Sequence, residues 1–226
     1  MIPYIVTGIS VVIISIFIYI NLKITPKQRT ITKAIASLSF LAVGITSFIY
    51  GTGDKTYGYM LLLGLILGVL GDIGLGLKRV FKKTAHICFI LGTIAFLLGH
   101  VAYISLFVMM APVTLGDVLM AAALALGFIV VGNKAHINYR YMRPIAYMYM
   151  ATIAFMVIKA VSLLPLLGMT TSNVMVALGA VLFVISDMIL AFLYFGGKKQ
   201  TYLKTINLIT YYGGQLLIAL SILYKI

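Results

Sequence analysis

The chain has 226 residues, of which 63% are hydrophobic and only 9% are charged. Soluble globular domains have about 45–50% apolar and about 25% charged residues, so the composition excludes a soluble enzyme, a disordered tail and a secreted disulfide scaffold. The net charge of +13 would suggest a nucleic acid partner for a soluble chain. Here the charges lie between apolar stretches, so we expect orientation in a membrane and no nucleic acid partner.

Eight stretches have the length and apolar character that a helix needs to cross the hydrocarbon core, about 20 residues. The gaps between them are short and leave no room for a separate soluble domain. The sequence therefore predicts an all-α polytopic membrane protein with eight transmembrane helices in one membrane domain, residues 1–226. The predicted spans are Pro3–Leu22, Ala34–Tyr50, Gly58–Leu77, Ala85–Met109, Val113–Gly132, Pro144–Leu163, Ser172–Phe195 and Tyr202–Tyr224.

Basic residues concentrate in alternate loops of this predicted topology. The loops after spans one, three, five and seven hold fourteen of the seventeen Lys and Arg residues. Cytoplasmic loops carry the Lys and Arg excess in membrane proteins. We therefore expect a multi-pass protein of a bacterial cell membrane with both termini on the non-cytoplasmic side.

The third and seventh predicted spans resemble each other around an aspartate. LGVLGDIGL around Asp72 aligns with LFVISDMIL around Asp187. Counting 28 residues on from these aspartates reaches His100 and Gln215, respectively. The similarity predicts two parallel four-helix repeats, residues 1–112 and 113–226, related by an axis along the membrane normal. Such an axis would bring the two aspartates to one central cavity.

An ionisable side chain inside the hydrocarbon costs about 2.5–3.5 kcal/mol on insertion scales and is a candidate functional group by default. Asp72 and Asp187 meet this description. The alternative is a structural role, either in a pair with a lysine such as Lys33 or Lys78 or in a hydrogen bond across helices. His100 is the one mid-span histidine, and counting residues from the basic loops predicts that it lies nearer the outer surface than the aspartates. This depth argues against a tight Asp–His pair and leaves both a core histidine and a functional one open.

Asp117 and Lys159 fall toward the outer ends of their spans. They can form an ion pair, or the lysine can extend its charge to the membrane surface. We expect a structural role for both residues.

Several enzyme classes are excluded by missing motifs. The sequence has no G-x-S-x-G elbow, no Walker or Rossmann glycine loop and, without glutamate, no H-E-x-x-H motif. One mid-span histidine and one cysteine are too few for a typical zinc site, so we expect neither a metal nor a cofactor. Two buried aspartates surrounded by hydroxyl groups are suited to proton transfer.

These candidate residues also carry a resemblance to the lysoplasmalogenase (YhhN-like) family of multi-pass membrane proteins, and the resemblance covers nearly the whole chain. One departure is Ala34, which stands where the family has the proline of a Lys-Pro pair. The matching pieces are Lys33, Gly71-Asp72, Phe89-x-x-Gly92-x-x-x-Phe96-x-x-x-His100-x-x-Tyr103, Pro144-x-x-Tyr147, the segment from Gly179 to Ser186-Asp187, and Tyr211-Tyr212-x-x-Gln215.

The resemblance implies hydrolysis of the vinyl ether bond of lysoplasmalogens to a fatty aldehyde and a glycerophospho-alcohol. Asp72 and Asp187 would be the catalytic acid and base, as the paired carboxylates of glycosidases are. The partners would be a lysophospholipid or lysoplasmalogen and the membrane lipid, and the oligomeric state does not follow from the sequence. The expected substrate-binding residues are Lys33, His100, Tyr103, Tyr147, Ser186, Tyr211, Tyr212 and Gln215.

Two other functions fit the same composition. In a small-molecule or proton-coupled transporter the buried aspartates would form a proton relay. In a membrane scaffold, the free-energy cost of burying the two aspartates would have no explanation. Against the transporter, no Pro or paired Gly breaks stand at matching places in the two halves.

Overall fold

A computed structural model describes residues 1–139, 142–196 and 200–225. Within these residues the chain is helical, and eight helices are each long and apolar enough to cross a membrane. The predicted all-α architecture with eight spans is confirmed, and it indicates an integral membrane protein. The helices are α1 Ile2–Ile20, α2 Pro26–Tyr50, α3 Lys55–Leu77, α4 Ala85–Met110, α5 Leu115–Lys134, α6 Arg143–Leu167, α7 Thr171–Phe195 and α8 Thr201–Ser221, followed by a 3-10 turn at Ile222–Tyr224.

The second helix begins well before its predicted apolar span. Pro26 occupies the first turn, and Thr25 and Gln28 form a reciprocal capping box around the helix start. Hydropathy misses these turns because they are polar and precede the hydrocarbon region. Lys33 therefore lies inside α2 and projects from a fixed helix backbone, not from a loop.

The most extensive helix contacts are α3 with α4 and α7 with α8. Glycines allow both pairs to approach backbone to backbone. A Cβ on Gly74 would lie 2.8 Å from the Cα of Gly92, and a Cβ on Gly214 would lie 2.7 Å from the carbonyl oxygen of Gly179. Larger residues at these positions would push the paired helices apart.

The order of helix contacts is the same in both halves of the chain. Helix α2 packs on α3 and on α8, while α6 packs on α7 and on α4. The two halves therefore contact each other through corresponding elements. The duplication of residues 1–112 and 113–226 stays a prediction about how this arrangement arose.

Short connections reverse the chain at each junction, so the connections after α1, α3, α5 and α7 lie together at one end of the bundle. We call this the basic end, because these connections and the adjoining helix termini hold most of the Lys and Arg residues. Arg140, Lys198 and Lys199 belong to these segments but lie outside the described residues.

The predicted ion pair between Asp117 and Lys159 is confirmed at the opposite end. The Lys159 ammonium lies 3.1 Å from the Asp117 carboxylate and donates to the Pro112 carbonyl oxygen at 2.7 Å. The lysine is fully buried, so it does not extend to the surface. Asp117 also forms the capping box of α5 with Thr114. The pair therefore fastens α6 to the start of α5.

Candidate functional site

Asp72 lies in α3 and is almost completely buried, with 1% of its surface exposed. Its Oδ1 lies 2.7 Å from the Lys33 ammonium. Its Oδ2 accepts hydrogen bonds from the Ser37 hydroxyl at 2.5 Å and the Tyr211 hydroxyl at 2.7 Å. The pairing with Lys33, which the sequence allows as an alternative, is thus present, and side chains from α2, α3 and α8 meet at this carboxylate.

A chain of polar side chains continues from Asp72 toward α4. Gln215 donates to the Tyr211 hydroxyl and accepts from the Tyr103 hydroxyl, each at a distance of 3.5 Å. Gly64 and Gly68 make room for this chain, since a Cβ on Gly64 would lie 2.1 Å from the Tyr103 ring and one on Gly68 3.0 Å from the Gln215 amide nitrogen. These two glycines of α3 therefore accommodate polar side chains as well as helix packing.

Tyr212 lies beside the Asp72 cluster without touching the carboxylate. Its hydroxyl is 3.5 Å from the Ser37 hydroxyl and 3.5 Å from the Lys33 carbonyl oxygen. Its ring packs edge-on against Phe17. Tyr212 therefore supports the α2 backbone that presents Lys33 and Ser37.

Asp187 lies in α7 within a second, separate polar cluster. Its Oδ2 accepts a hydrogen bond from the Tyr149 hydroxyl of α6 at 2.5 Å. The same hydroxyl lies 2.9 Å from Nε2 of His100 in α4. Because the hydroxyl hydrogen points to Asp187, the tyrosine oxygen accepts from His100, so Nε2 carries a hydrogen. The three side chains form a directed chain from His100 through Tyr149 to Asp187.

The predicted separation of His100 from the aspartates is wrong for Asp187. The His100 Nε2 atom lies 3.8 Å from Oδ2 of Asp187. The prediction compared depths counted along separate helices from loop lysines. Helix tilt and the differing heights of loop residues make such counts inaccurate by a turn or more. The extended side chain of Tyr149 also bridges the two groups.

Asp187 and Tyr149 line a cavity between α4, α5, α6 and α7. Its other walls are mainly apolar, and it reaches the α5–α6 connection at the basic end. We call it the apolar cavity. Representative wall residues are Phe96, Phe128, Tyr139, Met150, Ile153, Val184 and Phe195. An apolar cavity with few polar groups is the usual form of a small-molecule site.

A second cavity lies beside the first, between α2, α3, α7 and α8. We call it the basic cavity. Arg29, Lys33, Arg79 and Lys204 line it. The two cavities share Leu75, Leu190 and Tyr194 as walls. A single amphiphilic molecule could therefore reach both spaces at the basic end.

The single cavity expected between the two aspartates is not what the structure contains. Asp187 lines the apolar cavity, but Asp72 is absent from the linings of both cavities. The Phe183 ring contacts members of both clusters, with its centroid 5.4 Å from that of Tyr211 and 4.8 Å from that of His100. Aromatic packing and the Lys33 ion pair thus enclose Asp72.

Of the eight predicted substrate-binding residues, Lys33 alone lines either of these two cavities. His100, Tyr103, Tyr211, Tyr212 and Gln215 belong to the polar clusters, while Tyr147 and Ser186 lie outside them. Tyr147 accepts a hydrogen bond from Arg143 at 3.0 Å at the basic end and does not line the apolar cavity. Ser186 is buried against α8, where Asn207 donates to its hydroxyl at 2.9 Å and to its carbonyl oxygen at 2.7 Å. Ser186 therefore joins two helices and is not a cavity residue.

Tyr149 is the functional candidate that the sequence interpretation missed. It lies two residues after Tyr147, and residues at this spacing face different sides of a helix. No residue spacing in the sequence distinguishes Tyr149 from Tyr147 as the side chain that faces Asp187.

Lys78 does not pair with Asp72. Its ammonium lies 3.7 Å from the centroid of the Phe89 ring and 4.3 Å from that of Tyr194, a cation–π arrangement at the cavity wall. Burial lowers the pKa of the Lys78 ammonium below its usual value, the opposing effect of Tyr194 being smaller. The Lys78 ammonium thus packs against Tyr194, whose ring lines both cavities.

The charged and polar side chains of the two clusters are the candidate ligands of any bound ion. Among the residues that the structure describes, no group of three or more His, Cys, Asp or Glu side chains converges. Asp187 with His100 is the one pair of such groups in contact at the cavity.

The comparisons with known proteins give one match. No curated protein and no solved structure matches the chain. A family model described as the YhhN family matches residues 28–222, which include every residue of both polar clusters. The chain therefore belongs to the YhhN family, the family that contains lysoplasmalogenases.

Proposed function

We propose that this protein is a membrane-embedded hydrolase that cleaves the vinyl ether bond of lysoplasmalogens. Membership of the YhhN family supports hydrolysis of this kind. The observation that carries the proposal is the position of Asp187, hydrogen-bonded to Tyr149 at the wall of an apolar cavity. The fatty chain would occupy this cavity, with its vinyl ether beside the carboxyl group.

The reaction begins with transfer of a proton to the β-carbon of the vinyl ether. Asp187 is the proposed donor, since Oδ2 is held by Tyr149 and Oδ1 is left to carry the proton. Protonation converts the carbon–carbon double bond to a single bond and leaves an oxocarbenium ion. The carboxylate formed at Asp187 stabilises that cation electrostatically.

Water then adds to the oxocarbenium carbon and gives a hemiacetal. The Asp187 carboxylate accepts the proton that the water loses, which restores the acid. The hemiacetal collapses to a fatty aldehyde, and its alkoxy oxygen leaves with a proton as the glycerol hydroxyl. One water molecule is consumed, and no oxidant or metal enters the balance.

We assign Asp72 a positioning role. Its carboxylate holds Lys33, which lines the basic cavity, and Tyr211, which packs against Phe183. This assignment differs from the direct acid or base role that the family resemblance implies for Asp72. The remaining members of the Asp72 cluster, Tyr103, Tyr212 and Gln215, would maintain the same local geometry.

The test uses purified protein in neutral detergent, with a lysoplasmalogen, the matching saturated ether and an ordinary acyl lysophospholipid. We expect aldehyde from the lysoplasmalogen alone. In deuterated water the aldehyde should carry one deuterium on the carbon next to its carbonyl, because that carbon receives the proton. Fatty acid from the acyl lipid without aldehyde would contradict the proposal. Lipid flux in proteoliposomes without product would favour the transporter.

A further inference from the structure

The basic cavity carries more positive charge than its surroundings neutralise. Arg29, Lys33, Arg79 and Lys204 line it, from α2, the end of α3 and α8. The carboxylate in contact with this set is Asp72, which pairs with Lys33 at 2.7 Å. The other three cations have no carboxylate partner within the described part of the chain.

The other aspartates of the chain are not available to neutralise the basic cavity. It contains four acidic residues, all aspartates. Asp187 is in the second cluster, Asp117 pairs with Lys159 at the opposite end, and Asp54 caps the start of α3 through the Thr56 amide at 2.8 Å. Asp72 is therefore the one aspartate that neutralises part of the charge of the basic cavity.

Positive charges that only orient a membrane protein lie in solvated loops. In this cavity Arg29, Lys33 and Lys204 are half-buried, and they converge from helices far apart in the sequence. Partly buried arginine is suited to bind a planar or tetrahedral oxyanion through two parallel hydrogen bonds. The convergence indicates a binding site and not a general surface charge.

We infer that the basic cavity binds the phosphate of the lipid that the apolar cavity holds. This inference rests on the proposed function for the identity of the lipid, and it names the part of that lipid that the second cavity recognises. Leu75, Leu190 and Tyr194 are common to both cavities. One phosphate-bearing amphiphile therefore spans them, with its phosphate at Arg29 and Lys204 and its chain beside Asp187.

Lys33 links the phosphate site to the Asp72 cluster. Its ammonium contacts the buried Asp72 carboxylate while its side chain forms part of the cavity wall. A bound phosphate would therefore change the electrostatic environment of the Asp72 carboxylate through the Lys33 side chain. Free inorganic phosphate has the same oxyanion chemistry and is the other source of a ligand for this cavity.

The test measures binding without catalysis. The probe is a saturated 1-O-alkyl lysophospholipid, which has no vinyl ether to cleave, and the comparison ligand is the same alkylglycerol without phosphate. We expect the intact protein in neutral detergent to bind the phosphate-bearing probe at least about tenfold more tightly. Arg29→Gln and Lys204→Gln should each remove about tenfold of that affinity, while Lys27→Gln, an exposed residue in the first turn of α2, leaves it unchanged.

Two further arms separate the sources of phosphate and the proposals. Competition by millimolar inorganic phosphate supports the oxyanion site with a free anion as ligand, and its absence supports the lipid headgroup. Equal binding of the probe and the alkylglycerol, or normal binding by both variants, would overturn the inference. Because the probe is not cleaved, failure to release aldehyde from lysoplasmalogen would leave these results unaffected.

Discussion

His100 and Asp187 lie on different helices, with Nε2 of the imidazole 3.8 Å from Oδ2 of the carboxylate. The Tyr149 hydroxyl contacts both groups and donates to the aspartate. The tyrosine thus connects a buried base to an acid at a cavity wall. This connection gives Asp187 a defined orientation toward the apolar cavity.

Replacing Tyr149 by Phe removes that connection and little volume. We expect aldehyde release to fall by about 100-fold, in the range that positioned proton-transfer groups contribute. The unpaired buried His100 Nε2 should also lower the free energy of unfolding by about 1–3 kcal/mol. Initial rates and thermal unfolding in detergent measure the two effects. Tyr147→Phe is the matched control on the same helix, and equal rates for both variants would exclude Tyr149 from the site.

Asp72→Asn leaves the Lys33 ammonium without its counter-charge. Breaking a buried pair in this way costs about 3–5 kcal/mol, reduced here because 19% of the Lys33 side chain is exposed. We expect the double variant with Lys33→Met to be more stable than Asp72→Asn alone. A positioning role predicts a raised KM with a modest change in kcat. A collapse of kcat in a folded Asp72→Asn protein would instead assign it a direct acid or base role.

Lys159→Met should destabilise the protein without altering its chemistry. The substitution leaves the buried Asp117 carboxylate uncompensated at the end opposite to the cavities, at a cost of about 3–5 kcal/mol. Adding Asp117→Asn removes the stranded charge and keeps a capping side chain, so stability should recover. Chemical unfolding with an activity assay of the surviving fraction checks this. Unchanged stability of Lys159→Met would show that the pair contributes nothing.

Gly92→Ala tests the close approach of α3 and α4. The added Cβ would lie 2.9 Å from the Leu75 amide nitrogen and 3.0 Å from the Gly71 carbonyl oxygen. Backbone atoms cannot rotate away, so we expect a loss of about 1–3 kcal/mol. Gly127→Ala is the control, since nothing lies within 4 Å of its Cβ. Equal thermal stability of the two variants would contradict this packing.

Much of the fold follows from the sequence because hydrocarbon thickness fixes the length of each span. Eight apolar stretches predict eight helices, and the one large error, at the start of α2, arises where polar residues and a capping box lie outside the hydrocarbon. For Asp117 and Lys159 the sequence allows either an ion pair or a lysine that reaches the membrane surface, and only the burial of Lys159 in the structure decides for the pair.

The site was less predictable because side-chain contacts depend on how helices rotate and tilt against each other. The sequence identifies Asp72 and allows its pairing with Lys33, but the packing of Phe183 against Tyr211 beside Asp72 is not revealed by any residue spacing. The sequence analysis selects Tyr147 and not Tyr149, because the two tyrosines lie close together in the chain and differ in the helix face that they occupy. Depth counted along single helices also separated His100 from Asp187, which Tyr149 joins.

The most direct test is the rate of aldehyde release from lysoplasmalogen by Asp187→Asn. Asparagine keeps the size of the side chain and an oxygen that accepts from Tyr149, but it carries no transferable acidic proton. The control is Asp54→Asn, at an exposed cap that asparagine also satisfies. Our account predicts a folded Asp187→Asn protein with no detectable aldehyde and an Asp54→Asn protein with normal rates. Full activity of Asp187→Asn would contradict it.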